Sequence, residues 1–154
     1  MARLLVVHHT PSPAVHDMVE AATAGARDPA IEGVEVVVRP ALHATASDVL
    51  DADGYLLGTP ANLGFMSGAL KHFFDTIYYP CLTATVGRPY GLFVHGNLDV
   101  DGAILGVEKI VTGLQWVRAQ APVTVVGQPS AQDLEACYEL GASLSAGLEI
   151  LLGH

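Results

Sequence analysis

Short apolar runs alternate along the chain with longer segments in which apolar residues recur every three or four positions. The runs are mostly continuous and rich in β-branched or aromatic residues, which is typical of strands buried on both faces of a parallel sheet. They span residues 4–7, 34–38, 55–57, 92–94 and 123–126. The pattern therefore predicts five strands.

Between these runs the apolar spacing becomes that of amphipathic helices. Such stripes span residues 15–26, 66–77, 104–114 and 134–151. A shorter helix is predicted over 45–51, where Thr45 and Ser47 can cap the first turn. Alternating strands and helices imply right-handed crossovers and a parallel sheet with helices on both faces. We therefore predict one domain over residues 1–154, a three-layer α/β/α sandwich with a five-stranded parallel sheet of order 2-1-3-4-5.

Composition narrows the functional classes. Of 154 residues, 51% are hydrophobic and 15% charged, enough for a full core, and the formal net charge is −9. This acidity argues against a nucleic-acid or anionic-membrane partner. The first apolar run is four residues long, too short for a signal-peptide core or a membrane span, so we expect a cytoplasmic protein. Cys81 and Cys137 lack partners at ligand spacing, so we interpret both as ordinary thiols and expect no metal site.

The carboxyl ends of strands one, three and four share one edge of the predicted sheet, and unusual chemistry follows each of them. The three loops are 8–14, 59–65 and 95–99. Ligands bind open α/β sheets at such an edge, so we expect the loops to form one cleft. The loop after strand five, 127–129, carries less chemistry.

Each loop has a functional and a structural interpretation. Thr10 and Ser12 precede a helix, where they can hold a phosphate or merely cap the helix. Segment 59–65 can border a flat heterocycle or form an ordinary turn with Phe65 in the core. His95 can be a catalytic group or a satisfied structural histidine.

Several enzyme classes are excluded because their motifs are absent. The chain has neither the Gly-x-x-x-x-Gly-Lys-Ser/Thr nor the Gly-x-Gly-x-x-Gly nucleotide motif, and no Gly-x-Ser-x-Gly elbow. A receiver domain needs a phosphoacceptor aspartate after strand three, where this chain has Thr59. A small phosphatase needs Cys-x-x-x-x-x-Arg after strand one, and no cysteine lies there.

A family resemblance rests on the segment after the third strand. The matching residues are Gly58, Thr59, Pro60, Gly64, Met66, Ser67, Gly68, Lys71, Phe74 and Asp75. They resemble the flavin-contacting segment of flavodoxin-like NAD(P)H:quinone oxidoreductases of the tryptophan-repressor-binding-protein type. His9, Thr10, Val15 and Met18 are similar, less closely, to the phosphate loop of that family, and 90–97 follows a general flavodoxin pattern.

The resemblance implies FMN as cofactor. It assigns the phosphate to Thr10 and Ser12 and to the amides of Ala14 and Val15. It also implies that segments 59–65 and 95–97 surround the isoalloxazine ring. The implied cofactor-binding residues are Thr10, Ser12, Ala14, Val15, Thr59, Pro60, Ala61, Asn62, Leu63, Gly64, Phe65, His95, Gly96 and Asn97. His95 is the candidate catalytic residue, which could steady the reduced cofactor or deliver a proton.

The implied activity is hydride and electron transfer from NADH or NADPH through FMN to a quinone or similar acceptor. The alternatives are a flavodoxin-like electron carrier that docks on a redox partner protein, or a flavin-less binding or assembly domain. Pro13 and Ala14 depart from the family's phosphate loop, because Pro13 has no amide and Ala14 no polar side chain. No long insertion is evident between His95 and Gly106, so we expect a homodimer at most.

Overall fold

A central, mainly parallel sheet organises the chain. The computed structural model describes residues 1–152. The strands are β1 (Ala2–His8), β2 (Val34–Pro40), β3 (Gly54–Asn62), β4 (Phe65–Met66), β5 (Pro89–Gly96), β6 (Val117–Arg118) and β7 (Val123–Val126). The order is β2-β1-β3-β5-β6, with β7 also paired to β5 and β4 paired to β3. All these pairings are parallel except that of β3 with β4.

Helices cover both faces of the sheet and close two separate cores. They are α1 (Pro13–Ala26), α2 (Ala46–Asp51), α3 (Gly68–Cys81), α4 (Asp101–Leu114) and α5 (Ala131–Leu152). One core joins the sheet to α1 and α5, and the other joins it to α2, α3 and α4. The predicted α/β/α sandwich is therefore confirmed. Within residues 1–152, no helix combines the length and apolar character that crossing a membrane requires.

The sheet differs from the predicted five strands in two places. The fifth position is divided: β6 pairs with the start of β5 and β7 with its end, so the order matches 2-1-3-4-5 only when the two pieces count as one strand. The second difference is β4, which folds back on β3 as a short hairpin. Neither β4 nor β6 exceeds two residues, which is too short to produce an apolar alternation.

The two helices on one face, α1 and α5, meet at glycines. A β-carbon at Gly25 would overlap the carbonyl of Tyr138, and one at Gly141 would overlap the carbonyl of Ala22. The helix backbones therefore touch directly, with no side chain between them at these two points. Because both helices begin at the same edge of the sheet, this contact links the segments that precede them.

Candidate functional site

A cleft of about 430 Å³ opens at the carboxyl edge of the sheet. We call it the carboxyl-edge cleft. Its lining residues are Pro11, Ser12, Pro13, Ala14, Pro60, Ala61, Asn62, His95, Gly96, Asn97, Gly127 and Gln128. They come from the ends of β1, β3, β5 and β7, as the strand order requires. The volume falls in the range of about 300–1,000 Å³ that is typical of small-molecule sites.

Eight of the predicted site residues line this cleft. They are Ser12, Ala14, Pro60, Ala61, Asn62, His95, Gly96 and Asn97. Sequence reasoning missed Gly127 and Gln128, since the loop after the fifth strand carries no charged or aromatic residue. The position of this loop could have revealed both residues, because β7 ends at the same edge of the sheet as the other three strands.

The first loop ends in a capped helix. Ser12 is the N-cap of α1, and its hydroxyl oxygen accepts from the amide of Val15 at 3.4 Å. The amide of His16 donates to the carbonyl of Ser12 at 3.0 Å, and Pro13 has no N–H. Among the first-turn amides, Ala14 therefore remains for a ligand, whereas the Val15 amide assigned to the phosphate already has a partner.

Thr10 lies on the other side of this loop. Its hydroxyl oxygen is 2.7 Å from Nδ1 of His8. Thr10 and His8 line a second cleft, of about 450 Å³, with side chains of α1 and Val38 of β2. We call it the α1 cleft. In this structure Thr10 thus faces away from the carboxyl-edge cleft, and its contact with a phosphate stays a prediction.

The predicted loop after the third strand, 59–65, is largely strand. β3 continues through Asn62, so Pro60 and Ala61 pair with neighbouring strands. Thr59 is buried, where its hydroxyl accepts from the amide of Ser67 at 3.0 Å and donates to the carbonyl of Pro60 at 2.8 Å. Ser67 in turn caps α3 through the amide of Leu70. Thr59 therefore supports the hairpin from below and does not line the cleft.

A two-residue turn, Leu63-Gly64, joins β3 to β4. Both residues have positive φ, 50° and 79°, as the turn of a tight antiparallel hairpin requires. Leu63 is fully exposed, and the ring of Phe65 packs against Gly106 of α4. Leu63, Gly64 and Phe65 do not line the cleft, so their predicted contact with a flavin ring is not evident in this structure.

The end of β5, at His95 and Gly96, is tied to the loop after β7 by two hydrogen bonds. Nε2 of His95 lies 2.8 Å from the carbonyl oxygen of Gly127, and the Gly127 amide donates to the carbonyl of Gly96 at 2.9 Å. A carbonyl only accepts, so Nε2 carries the proton and Nδ1 of the neutral ring is an acceptor. Glycine at position 96 lets the side chain of Val100 pack close to β5, because a β-carbon there would lie 2.9 Å from Cγ1 of Val100.

The lining of the cleft is polar but uncharged. It contains no lysine, arginine, aspartate or glutamate and no aromatic ring other than His95. The side chains of Asn97 and Gln128 make no hydrogen bond to any residue between 1 and 152. In that part of the chain, no group of three or more histidine, cysteine or carboxylate side chains could hold a metal ion. The arrangement offers neutral donors and acceptors to a polar ligand, with His95 as the one titratable side chain of the lining.

Two relatives match nearly the whole chain. A flavodoxin of Aquifex aeolicus is 39% identical, over 99% of this chain and 90% of its own length. An NAD(P)H dehydrogenase (quinone) of Syntrophus aciditrophicus is 28% identical, over 94% of this chain and 84% of its own. No protein-family model matches the sequence.

Solved structures give the same architecture. A flavodoxin from the domain Archaea superposes with a TM-score of 0.81 at 18% identity, covering 96% of this chain and 99% of its own. The flavodiiron core Flv1 of Synechocystis superposes at 0.82 and 16% identity, and this chain spans 36% of it. At these identities the likeness establishes the fold alone.

Proposed function

The chain belongs to the flavodoxin family, and from that premise we propose that it binds FMN in the carboxyl-edge cleft and passes electrons from NAD(P)H to a quinone or similar acceptor. The observation that carries this proposal is the cleft itself. It lies where four strands end, it is uncharged and polar, and side chains do not fill it. These properties suit a planar redox cofactor, which supplies its own chemistry and needs only binding and orientation from the protein.

The donors and acceptors of the cleft suit the isoalloxazine ring. The polar edge of that ring presents both N–H and C=O groups, and a carboxamide can pair with either. Asn97 and Gln128 offer carboxamides that have no partner within the described chain. Pro60 and Ala61 add apolar contact for the ring face. The residues present therefore fit the ring.

The first loop suits the phosphate. Ser12 uses its oxygen to cap α1, so its hydroxyl hydrogen remains to donate to an anion, as does the amide of Ala14. The positive end of the α1 dipole adds to this attraction. The loop has no lysine or arginine, so these neutral donors hold the phosphate in place of a direct charge pair.

Bound FMN would supply hydride acceptance and onward electron transfer. The residues of this chain bind it, orient it and leave one path open. Apart from His95, no aromatic side chain lines the cleft, so nothing in the lining would stack over the ring and keep a nicotinamide or a quinone away from it. His95 lines the cleft and is held by the carbonyl of Gly127, so Nδ1 of its neutral ring would be the group that exchanges a proton there.

A second candidate is an electron carrier. The relative at 39% identity is named a flavodoxin, and the net charge of −9 suits docking on a basic protein. Exposed Leu63 and Leu98 adjoin the cleft residues Asn62 and Asn97, beside the carboxylate of Asp99. Exposed leucines beside a ligand cleft, in an acidic protein, suit a transient contact with a protein partner.

The first experiment is titration of the purified protein with FMN, followed by flavin absorbance and fluorescence, with riboflavin as the phosphate-free control. Failure of FMN to bind would contradict the proposal. The loaded protein is then mixed anaerobically with NADH or NADPH, and a quinone is added. Bleaching of the flavin absorbance by the nicotinamide, with recovery on adding quinone, supports the reductase. Tight binding without bleaching supports the carrier.

A further inference from the structure

The basic side chains of the chain lie away from the carboxyl-edge cleft. All seven lysine and arginine residues fall within the described residues 1–152, and none of them lines the cleft. Four lie towards the opposite edge of the sheet. Arg3, Arg88 and Arg118 are at the starts of β1, β5 and β6, and Arg27 is at the end of α1.

The basic side chains on the carboxyl side of the sheet are paired with carboxylates. Nζ of Lys71, in the first turn of α3, lies 2.6 Å from the carboxylate of Asp75. The guanidinium of Arg39, near the end of β2, lies 3.7 Å from the carboxylate of Asp48. Lys109 is two turns into α4, about 12 Å along the axis from the start of that helix. An anion at the cleft therefore meets no lysine or arginine beside it.

Carboxylates occupy the starts of two helices at this edge. α4 has Asp101 in its first turn, and the amide of Asp101 donates to the carboxylate of Asp99 at 2.9 Å. α5 has Asp133 in its first turn, and its carboxylate accepts from the amide of Ser130 at 2.9 Å. α3 begins at a buried cap, Ser67, and the first turn of α1 has no acidic residue. The start of α1 is thus the one that suits an anion.

Both acidic helix starts adjoin the cleft. The segment after Asn97, a lining residue, leads into α4, and the segment after Gln128 leads into α5. The first turn of α4 also packs on the hairpin, where a β-carbon at Gly102 would overlap the carbonyl of Gly64. Charges interact over about 8 Å at physiological ionic strength, so these carboxylates repel an anion at the cleft opening without touching it. The edge therefore favours one phosphate, at α1, and disfavours a second.

We propose that this protein takes NADH as its reductant in preference to NADPH, and that Asp101 and Asp133 are the residues that determine this specificity. The two dinucleotides differ only in the 2′-phosphate of NADPH, which adds a charge of about −1.5 to −2 near pH 7. The pyrophosphate is common to both and does not distinguish them. The inference rests on the proposed reduction of FMN by NAD(P)H and names the donor for that reaction.

The test compares NADH with NADPH as reductants of the FMN-loaded protein, through kcat/KM for anaerobic bleaching of the flavin. At an ionic strength of about 0.02 M, NADH should be favoured about threefold to tenfold. At about 1 M, where the screening length is about 3 Å, the ratio should approach one. Equilibrium binding of the unreactive oxidised forms, NAD⁺ and NADP⁺, followed by flavin fluorescence, should show the same preference and the same dependence on salt.

Two double variants separate the charge at the cleft from the charge of the whole protein. Asp101→Asn with Asp133→Asn removes both carboxylates, while an amide oxygen at position 133 can still accept from the Ser130 amide. This variant should bring the ratio close to one at low ionic strength. Glu108→Gln with Glu139→Gln is the matched control, because it removes equal charge from later turns of the same two helices. It should keep the preference for NADH.

Three results would contradict this specificity and leave the proposed reduction of FMN intact. They are equal use of NADH and NADPH by the unmutated protein at low ionic strength, a preference for NADPH, and an unchanged preference in the Asp101→Asn, Asp133→Asn variant. If neither dinucleotide bleaches the flavin, the proposed reductase activity fails together with this inference.

Discussion

The ring of Phe65 in β4 lies so close over Gly106 of α4 that a β-carbon at Gly106 would overlap it. The hairpin that borders the carboxyl-edge cleft is therefore held from behind by a helix. Gly102, one turn earlier, meets the backbone of Gly64 in the same way. The position of Asn62 relative to the cleft depends on these two contacts.

We expect Gly106→Ala to displace the hairpin and weaken FMN binding several-fold. The added methyl group gains about 0.5–1 kcal/mol of helix propensity but costs about 1–3 kcal/mol through overpacking against Phe65. Gly147→Ala in α5 is the matched control, because a β-carbon there meets nothing within 4 Å. It should raise the free energy of unfolding and leave FMN affinity unchanged. Equal behaviour of the two variants in urea unfolding and FMN titration would refute this account.

We expect Ser12→Ala to weaken FMN binding by about tenfold or more while riboflavin binding stays the same. The lost hydrogen bond to a charged phosphate is worth about 1.5–3 kcal/mol, and the lost N-cap about 1 kcal/mol of stability. Ser130→Ala is the control, because Ser130 forms a reciprocal capping pair with Asp133 at the start of α5. It should reduce stability by a similar amount without affecting FMN. If riboflavin loses as much affinity as FMN, Ser12 does not contact the phosphate.

We expect His95→Leu to free the loop after β7. The carbonyl of Gly127 loses its partner, at a cost of about 1 kcal/mol, or about fivefold in the equilibrium for local opening. Hydrogen exchange of the Gly127 amide, which donates to Gly96, should accelerate accordingly, and FMN should dissociate faster. His95→Gln can still donate to that carbonyl and should restore most of the protection. Unchanged exchange in His95→Leu would mean that the hydrogen bond does not position the loop.

We expect stability to fall as pH rises from about 9 to about 11, partly because of Cys137. Burial, with a smaller contribution from Asp133, raises the pKa of its thiol from 9.0 to about 11. The neutral thiol is therefore favoured in the folded state, and the stabilisation is complete below about pH 9. Above pH 9, the thiol of the unfolded chain loses its proton while that of the folded chain retains it, so the free energy of unfolding decreases. Urea unfolding across this range should show a smaller decline for Cys137→Ala; an identical decline would contradict the assignment.

The apolar runs predicted the strand positions because a strand buried on both faces needs an unbroken apolar sequence. They missed the extension of β3 from Gly58 to Asn62, where glycine, threonine and proline end the apolar run although the strand stays buried through Pro60. The hairpin was hidden for a further reason. Such a turn usually has the sequence Asn-Gly, whereas this one is Leu63-Gly64, and leucine rarely takes positive φ.

The site was predictable where it depends on strand order and not where it depends on side-chain orientation. Loop position alone brought Ser12, Asn62 and Asn97 to one cleft. The orientation of Thr10 depends on its hydrogen bond with His8, which no spacing rule reveals. Gln128 was missed because its loop lacks conspicuous residues, although it occupies the same edge.

The glycine contacts between α1 and α5 have a consequence for variation at a distance from the cleft. Because Gly25 and Gly141 let these helices touch backbone to backbone, the segments carrying Ser12 and Gln128 are anchored to a single rigid pair. A methyl group at either glycine would force the two helix backbones apart. Gly25 lies in the last turn of α1, at the end away from Ser12, so we expect such a substitution to act first on the stacking of the two helices, and hence on stability, rather than on the residues that line the cleft.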